Sequence, residues 1–337
     1  MNTLQIVWFI LLTVLVIGFT VLSGADLGVG ILRFFARNED DQRAMLSAIG
    51  PFWDGNEVWL LAAGGASFAA FPPVYAAIFS GLYLPLMVAL FALIIRAISI
   101  EFGSREQSQP ARGYWGIAWA VTSTLATLLL GMALGNILRG LPLNAGGEYT
   151  GSFFGLLNPF AWLLGALNLA MLTSHGAFYL AMRAEGDLRA RASRWALISW
   201  AFYLPLTVFT LFAATRYLHL ARNYTGAPGW WLVPALGLLA VIFAGLWTSW
   251  QAPTAAFVAS CFSVTLLLAS AAIALFPLLV PALNNPALSL TAANASSTPL
   301  TLFVMLIAVI IGLPLVAIYT IWVYKVFGGK ITKAGHY

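Results

Sequence analysis

Of the 337 residues, 61% are hydrophobic and 8% charged, and the mean hydropathy is +0.90, which leaves too little polar surface to wrap a water-soluble globule. A net charge of +5 would point to nucleic acid in a soluble chain. Here the basic residues fall in short breaks between apolar runs, where membrane orientation accounts for them, so nucleic acid is excluded as a partner.

The chain is therefore expected to be an all-α integral membrane protein, a single polytopic domain over 1–337, because each span takes about 20 apolar residues and no soluble domain fits between the runs. Nine candidate spans follow in order. The first, 5–32, starts from Met-Asn-Thr-Leu-Gln without the basic n-region of a secretory signal and is read as retained; it carries Asp26 in "GADLGVG". The second, 47–70, holds "WDGNEVW" with Asp54, Asn56 and Glu57. The third, 74–100, ends near Arg96 and Glu101. The fourth is 114–137, and the fifth, 158–182, contains His175. The rest are 195–217, 230–250, 255–280 and 299–326, the last pair but one separated by the uncharged turn 251–254. The lone cysteine, Cys261, lies inside an apolar run, so an intrachain disulfide and a cysteine-rich metal site are excluded.

Thirteen basic residues (Arg33, Arg37, Arg43, Arg96, Arg105, Arg112, Arg183, Arg189, Arg191, Arg194, Lys325, Lys330, Lys333) fall on one side of these spans and three (Arg139, Arg216, Arg222) on the other. This bias places the N-terminus outside and the C-terminus in the cytoplasm, in keeping with nine crossings. The pairs Gly24/Gly28, Gly64/Gly65 and Gly131/Gly135 are expected to let helix backbones approach closely.

Ionisable groups at membrane depth each need a partner, a water-filled cavity or a function. Asp26, Asp54, Glu57, Arg96, Glu101 and His175 all fall in the half nearer the basic side. With a helix from Ser47, Asp54 lies about 10 Å and Glu57 about 15 Å in, three residues apart on one face. Two acids so placed suit a proton relay, with the indoles of Trp53 and Trp59 narrowing a water path and Asn56 bonding across it. Alternatively, Pro51 marks the helix start and Asp54 is a first-turn acid at the interface. Asp26 either serves the path or neutralises an arginine. Arg96 and Glu101 read as an interface pair.

A haem held by two histidines needs a second histidine at depth, but His219 falls in an outer loop and His336 in the tail. His175, beside Ser174, is read as a packing or hydrogen-bonding residue, pairing with Met87, Met132, Met171 or Met305 remaining open. No P-loop, metal-ligand spacing, nucleophile elbow or dinucleotide turn is present. From the residues alone, a proton-conducting subunit of a respiratory enzyme and a proton-coupled transporter both fit; a transporter would favour broken helices and a polar pocket at mid-membrane.

The block "GPFWDGNEVWLLAAGGASFAAFPPVYAAIFSGLYLP" through "IIRAISIEFGSR" resembles subunit II, the smaller subunit, of cytochrome bd-type quinol oxidases. So, in the family's order, do "GADLGVG", "GNILRGLP", "FFGLLNPF", "SHGAFYLAMRAEGDLRAR" and "IALFPLLVPA". The resemblance implies a complex of the bacterial cytoplasmic (inner) membrane that oxidises quinol and reduces dioxygen to water. It implies two b-type haems and one d-type haem in the larger partner, subunit I, and none in this chain, so redox-catalytic residues are not expected here. It also implies two four-helix bundles plus a peripheral helix, and proton uptake from the cytoplasm without pumping. Its proton path maps onto Asp54, with Trp59, Arg96, Glu101 and Asp26 around the approach and Glu57 where relatives carry Glu or Gln. Many relatives have Asp-Gly-x-Asp in span one; here it is Ser23-Gly-Ala-Asp26, one acid fewer. Small single-span accessory subunits, membrane lipids and quinol are further expected partners, a structural quinone or lipid is a candidate occupant of a groove, and a purely structural scaffold role is the remaining alternative.

Overall fold

The computed structural model describes residues 1–331; Lys333 and His336 lie outside the described residues. Its helices are α1 (Thr3–Leu32), α2 (Glu39–Ile49), α3 (Trp53–Ala70), α4 (Pro72–Gly81), α5 (Tyr83–Arg105), α6 (Gln109–Arg139), α7 (Pro159–Arg183), α8 (Gly186–Ala214), α9 (Leu218–Gly226), α10 (Leu232–Ser249), α11 (Pro253–Leu275) and α12 (Pro299–Phe327). Among the described residues, 8 helices are long and apolar enough to cross a membrane: α1, α5 to α8 and α10 to α12. The ninth expected span, α3, is 18 residues long, and Asp54, Asn56 and Glu57 in its first two turns offset its apolar remainder.

Two expected spans are broken. The helix expected from 47 ends at Ile49 as α2, and α3 begins only at Trp53, because Pro51 lacks the N–H that a continuing helix would use. Asp54 is thus a first-turn acid, and Glu57 sits about 6 Å rather than 15 Å along its helix. The span expected over 74–100 divides at Leu82 into α4 and α5, since the ring of Pro85 obstructs the carbonyl of Gly81, four residues back. The sixth span starts at Gly186 rather than 195: "GDLRARAS" is helical but too polar to register as membrane. The uncharged turn 251–254 is present, with Gln251 in the left-handed region at φ 57°. The amphipathic α2 and α9 and a two-stranded antiparallel ribbon, β1 (Leu278–Val280) with β2 (Leu290–Thr291), add to the expected all-α plan.

Helix α1 packs between α3, α6 and α7, and α7 against α6, α8 and α11. Close approach supplies much of the affinity between helices in lipid, where no hydrophobic force separates one apolar surface from another. At the α1–α7 crossing a methyl on Gly28 would fall 2.0 Å from the Leu172 carbonyl oxygen, and one on Gly176 would fall 2.4 Å from the Gly28 carbonyl carbon. Gly131 and Gly135 meet α7 in the same way, but Gly64 and Gly65 face open space, so the expected approach at that pair does not occur within this chain.

At the end remote from most of the basic residues, Trp8, Phe71, Val74, Leu82, Leu143 and Val280 form one core, and Trp8 Nε1 donates to Leu302 O at 2.9 Å. At the basic end, Arg191 grips Asp41 with two nitrogens at 2.5 and 2.8 Å, joining α2 to α8. Lys330 Nζ and the Ile331 amide donate to Met182 O and Arg183 O, at 2.5 and 3.0 Å, capping the open carbonyls of α7. Burial by itself would raise the Asp41 carboxyl, but hydrogen bonds from Arg191 and the Arg37 amide and the charge of both arginines outweigh it and hold Asp41 below the ordinary carboxylate range.

Two outcomes follow. Gly176→Val removes the α1–α7 contact and lowers the yield of monodisperse protein in detergent gel filtration, whereas Gly64→Ala leaves it unchanged. The Asp41 tie is complete above the ordinary Asp value of 3.8 and is lost as pH falls below it. Detergent-solubilised wild type therefore loses melting temperature as pH drops through that window, whereas Asp41→Asn is less stable near neutrality, by about 2–3 kcal/mol, and flatter in acid.

Candidate functional site

Asp26 is 1% exposed, on the face of α1 that meets α3. Its Oδ2 accepts from Asn56 Nδ2 at 2.8 Å, and it makes no direct arginine ion pair. The same Nδ2 donates to Tyr324 Oη at 3.1 Å, bringing α12 into the cluster. Trp59 lies on the α1 side of α3, its ring filling the space beside Gly18.

Glu57, the next residue on α3, pairs with Arg96 Nη1 of α5. Arg96 is 0% exposed, and its Nε and Nη2 have no partner among the described residues, nor do Trp59 Nε1 and Ser23 Oγ. The expected Arg96–Glu101 pair does not form: five residues apart, the two point about 140° from each other around the helix. Glu101 pairs instead with Arg105, four residues on.

Asp54 is exposed. With Trp53, Asn56, Glu101, Thr320 and Tyr324 it lines a cavity of about 470 Å³ that opens at the basic end. The six sequence-derived residues thus separate: Asp54 and Glu101 line the cavity, Glu57 pairs with Arg96, Asp26 is buried and reaches the cavity lining through Asn56, and Trp59 packs on α1 at Gly18, about two turns further from the basic end than Asp26. Tyr324 and Thr320 were not anticipated. Their stretch, "YTIWVYK", has the appearance of an ordinary interfacial aromatic belt, and nothing local marks Tyr324 as facing Asn56.

His175 is fully buried. Its Nε2 is 2.9 Å from the Val21 carbonyl, which can only accept, and its Nδ1 is 2.7 Å from Ser260 Oγ. His219 Nε2 is 2.8 Å from Leu138 O. Both ring nitrogens of His175 are committed to protein groups, so it does not fit an axial haem ligand, and the described residues contain no group of three His, Cys, Asp or Glu arranged for a metal ion. A second cavity, about 130 Å³ and almost wholly apolar, lies between Leu138, Phe160, Leu164, Tyr224, Leu267 and Ala274.

Residues 4–327 match the family model described as cytochrome bd terminal oxidase subunit II. The chain is 36% identical over 364 aligned residues to cytochrome bd-I ubiquinol oxidase subunit 2 of Escherichia coli K12, covering 98% of this chain and 96% of that one. It is 33% identical to cytochrome bd ubiquinol oxidase subunit 2 of Bacillus subtilis 168, covering 98% of each. In fold it is similar to a chain of the solved bd oxidase of Geobacillus thermodenitrificans, with a TM-score of 0.79 at 18% identity, over 97% of this chain and 99% of that one. The chain belongs to the cytochrome bd terminal oxidase subunit II family, as a multi-pass subunit of a quinol oxidase complex in the bacterial inner membrane.

Proposed function

We propose that this subunit supports a haem-bearing subunit I and supplies it with protons from the cytoplasm. The observation that carries the reading is the polar cluster: an exposed acid, Asp54, lining a cavity of about 470 Å³, and a buried acid, Asp26, whose hydrogen bond comes from the neutral amide of Asn56 in the same lining. Around them, polar atoms of Arg96 and Trp59 have no partner among the described residues and suit buried water. Protons enter at Asp54 and Glu101, pass the Glu57–Arg96 pair and reach Asp26. The path residues are thus Asp54, Glu57, Trp59, Asp26, Arg96 and Glu101.

In this reading the 337 residues form one polytopic domain of nine spans, α3 included, in two four-helix bundles with α12 at the periphery. The N-terminus is outside and the basic end cytoplasmic. The two b-type haems and the d-type haem belong to subunit I. Oxygen reduction there consumes cytoplasmic protons, so charge separation needs no pump. Subunit I seats on the face built from α3, α5 and α12: Asp54 opens there, Gly55, Gly64 and Gly65 have nothing within 4 Å, and Leu61, Phe68, Phe91 and Ile95 are exposed. The apolar 130 Å³ cavity suits a structural quinone or lipid tail, and small single-span subunits and membrane lipids cover the remaining apolar surface.

In the intact oxidase, Asp54→Asn keeps assembly and haem content but slows quinol-dependent oxygen consumption about tenfold or more; full turnover would leave the chain a scaffold. Glu57→Gln keeps an acceptor for Arg96 and costs about threefold. Gly65→Trp, on the open face of α3, leaves the isolated chain folded but abolishes co-purification of subunit I. A complex of unchanged yield would place the partner elsewhere.

A further inference from the structure

Tyr324 lies near the end of α12, a helix otherwise held lightly, with only Leu302 and Val323 buried. Among the described residues of α12, its side chain is the one that hydrogen-bonds to another membrane helix. The phenol stacks on Phe52 just ahead of α3, with ring centroids 4.2 Å apart and planes at 23°. It also lines the cavity that holds Asp54, so it stands between that cavity and Asp26.

The Asn56 amide has two N–H groups and one oxygen to place. In the structure, Nδ2 serves Asp26 Oδ2 at 2.8 Å and Tyr324 Oη at 3.1 Å, while Oδ1 lies 3.4 Å from Tyr324 Oη. Turned over, the amide would offer its oxygen to Asp26, which a carboxylate repels and a protonated carboxyl welcomes as an acceptor. A hydroxyl both donates and accepts. Tyr324 therefore satisfies Asn56 in either orientation, accepting from Nδ2 in one and donating to Oδ1 in the other, and among the described residues no side chain besides Asp26 and Tyr324 bonds to the amide. The charged and titratable groups that act on Asp26 or on this pair are Glu57 on α3, Arg96 on α5, Tyr179 on α7, Cys261 on α11 and Tyr324 itself.

The geometry points to Tyr324 as a positioning residue of the proton path, whose hydroxyl lets the Asn56 amide follow the protonation of Asp26 and so sets proton exchange between Asp26 and the Asp54 cavity. This rests on the proposed path. It adds a residue of the last helix to it and gives that helix a part beyond packing.

The test is Tyr324→Phe in the assembled two-subunit oxidase. Phenylalanine keeps the stack on Phe52, so subunit I and haem content are retained. Oxygen consumption falls about threefold to tenfold, the scale of one hydrogen bond, and the pH–rate profile is displaced. The carboxyl band of Asp26 in redox-difference infrared spectra, identified by its loss in Asp26→Asn, changes frequency. Asn56→Ala removes the same link from its other end, and the double variant is no slower than the worse single one. A Tyr324→Phe enzyme with wild-type rate, profile and band overturns the assignment. So does a lower rate with profile and band unmoved, which is the signature of a packing role, and so does a double variant whose losses multiply. If Asp54→Asn is slow while Tyr324→Phe is wild type, only the role of Tyr324 falls. If Asp54→Asn and Asp26→Asn both turn over fully, the path itself falls.

Discussion

A guanidinium without exposed surface sets the terms for the basic half of this molecule. Moving a charge into hydrocarbon costs several kcal/mol even after relaxation, and Arg96 has one direct carboxylate, Glu57, to offset that. Asp26 is a second carboxyl group near enough to act on it through space. The pair joins α5 to α3, two helices that share little packing of their own, so much of the tie between them is electrostatic. An ion pair strengthens as its surroundings dry. Covering this region with another subunit therefore fixes α3 and α5 more firmly than lipid and water at its rim do.

Small residues are used unevenly across the molecule. Around α7, glycines are consumed by contact within the chain: Gly28, Gly131, Gly135 and Gly176 all meet neighbouring backbone. On α3 they are not, and Gly55, Gly64 and Gly65 look outward. Helix α12 fits the same division. It is fastened near one end by the Trp8 indole on the Leu302 carbonyl and near the other by Tyr324 on Asn56, and it is otherwise almost bare. The packed side of the molecule holds itself together, while the open side gathers the acids and the unused close-approach surface.

What the sequence made legible follows from which signals are local. Apolar runs located the long helices because hydropathy is a property of the segment, and the charge bias separated the two ends because loops are short. The breaks at Gly50–Phe52 and Leu82 were missed or left open because Pro51 and Pro85 sit inside apolar surroundings where a hydropathy window reads straight through them. Asp26, Asp54, Glu57 and Arg96 stood out because a charge in such a chain is rare. Their partners did not: Arg96 was assigned to Glu101 by nearness in sequence, whereas its ion pair is made across helices, 39 residues away. Tyr324 was invisible for the same reason, its partner lying 268 residues off and its type being ordinary for a membrane interface.

Asp41 and, on the proposed path, Asp26 give one residue type two tasks. Both are buried. Asp41 receives a two-pronged arginine and a backbone amide, donors that favour its charged form and hold α2 on α8 at ordinary pH. Asp26 receives a single neutral amide, whose two ends serve a carboxylate or a carboxylic acid equally well once the amide is free to turn. A structural carboxylate should be locked in one state, and a relay carboxylate must be stable enough in both to pass between them. The difference lies in the partner: an arginine fork makes a fastener, and an asparagine backed by a phenol makes a group that can exchange a proton without leaving a buried polar atom unsatisfied.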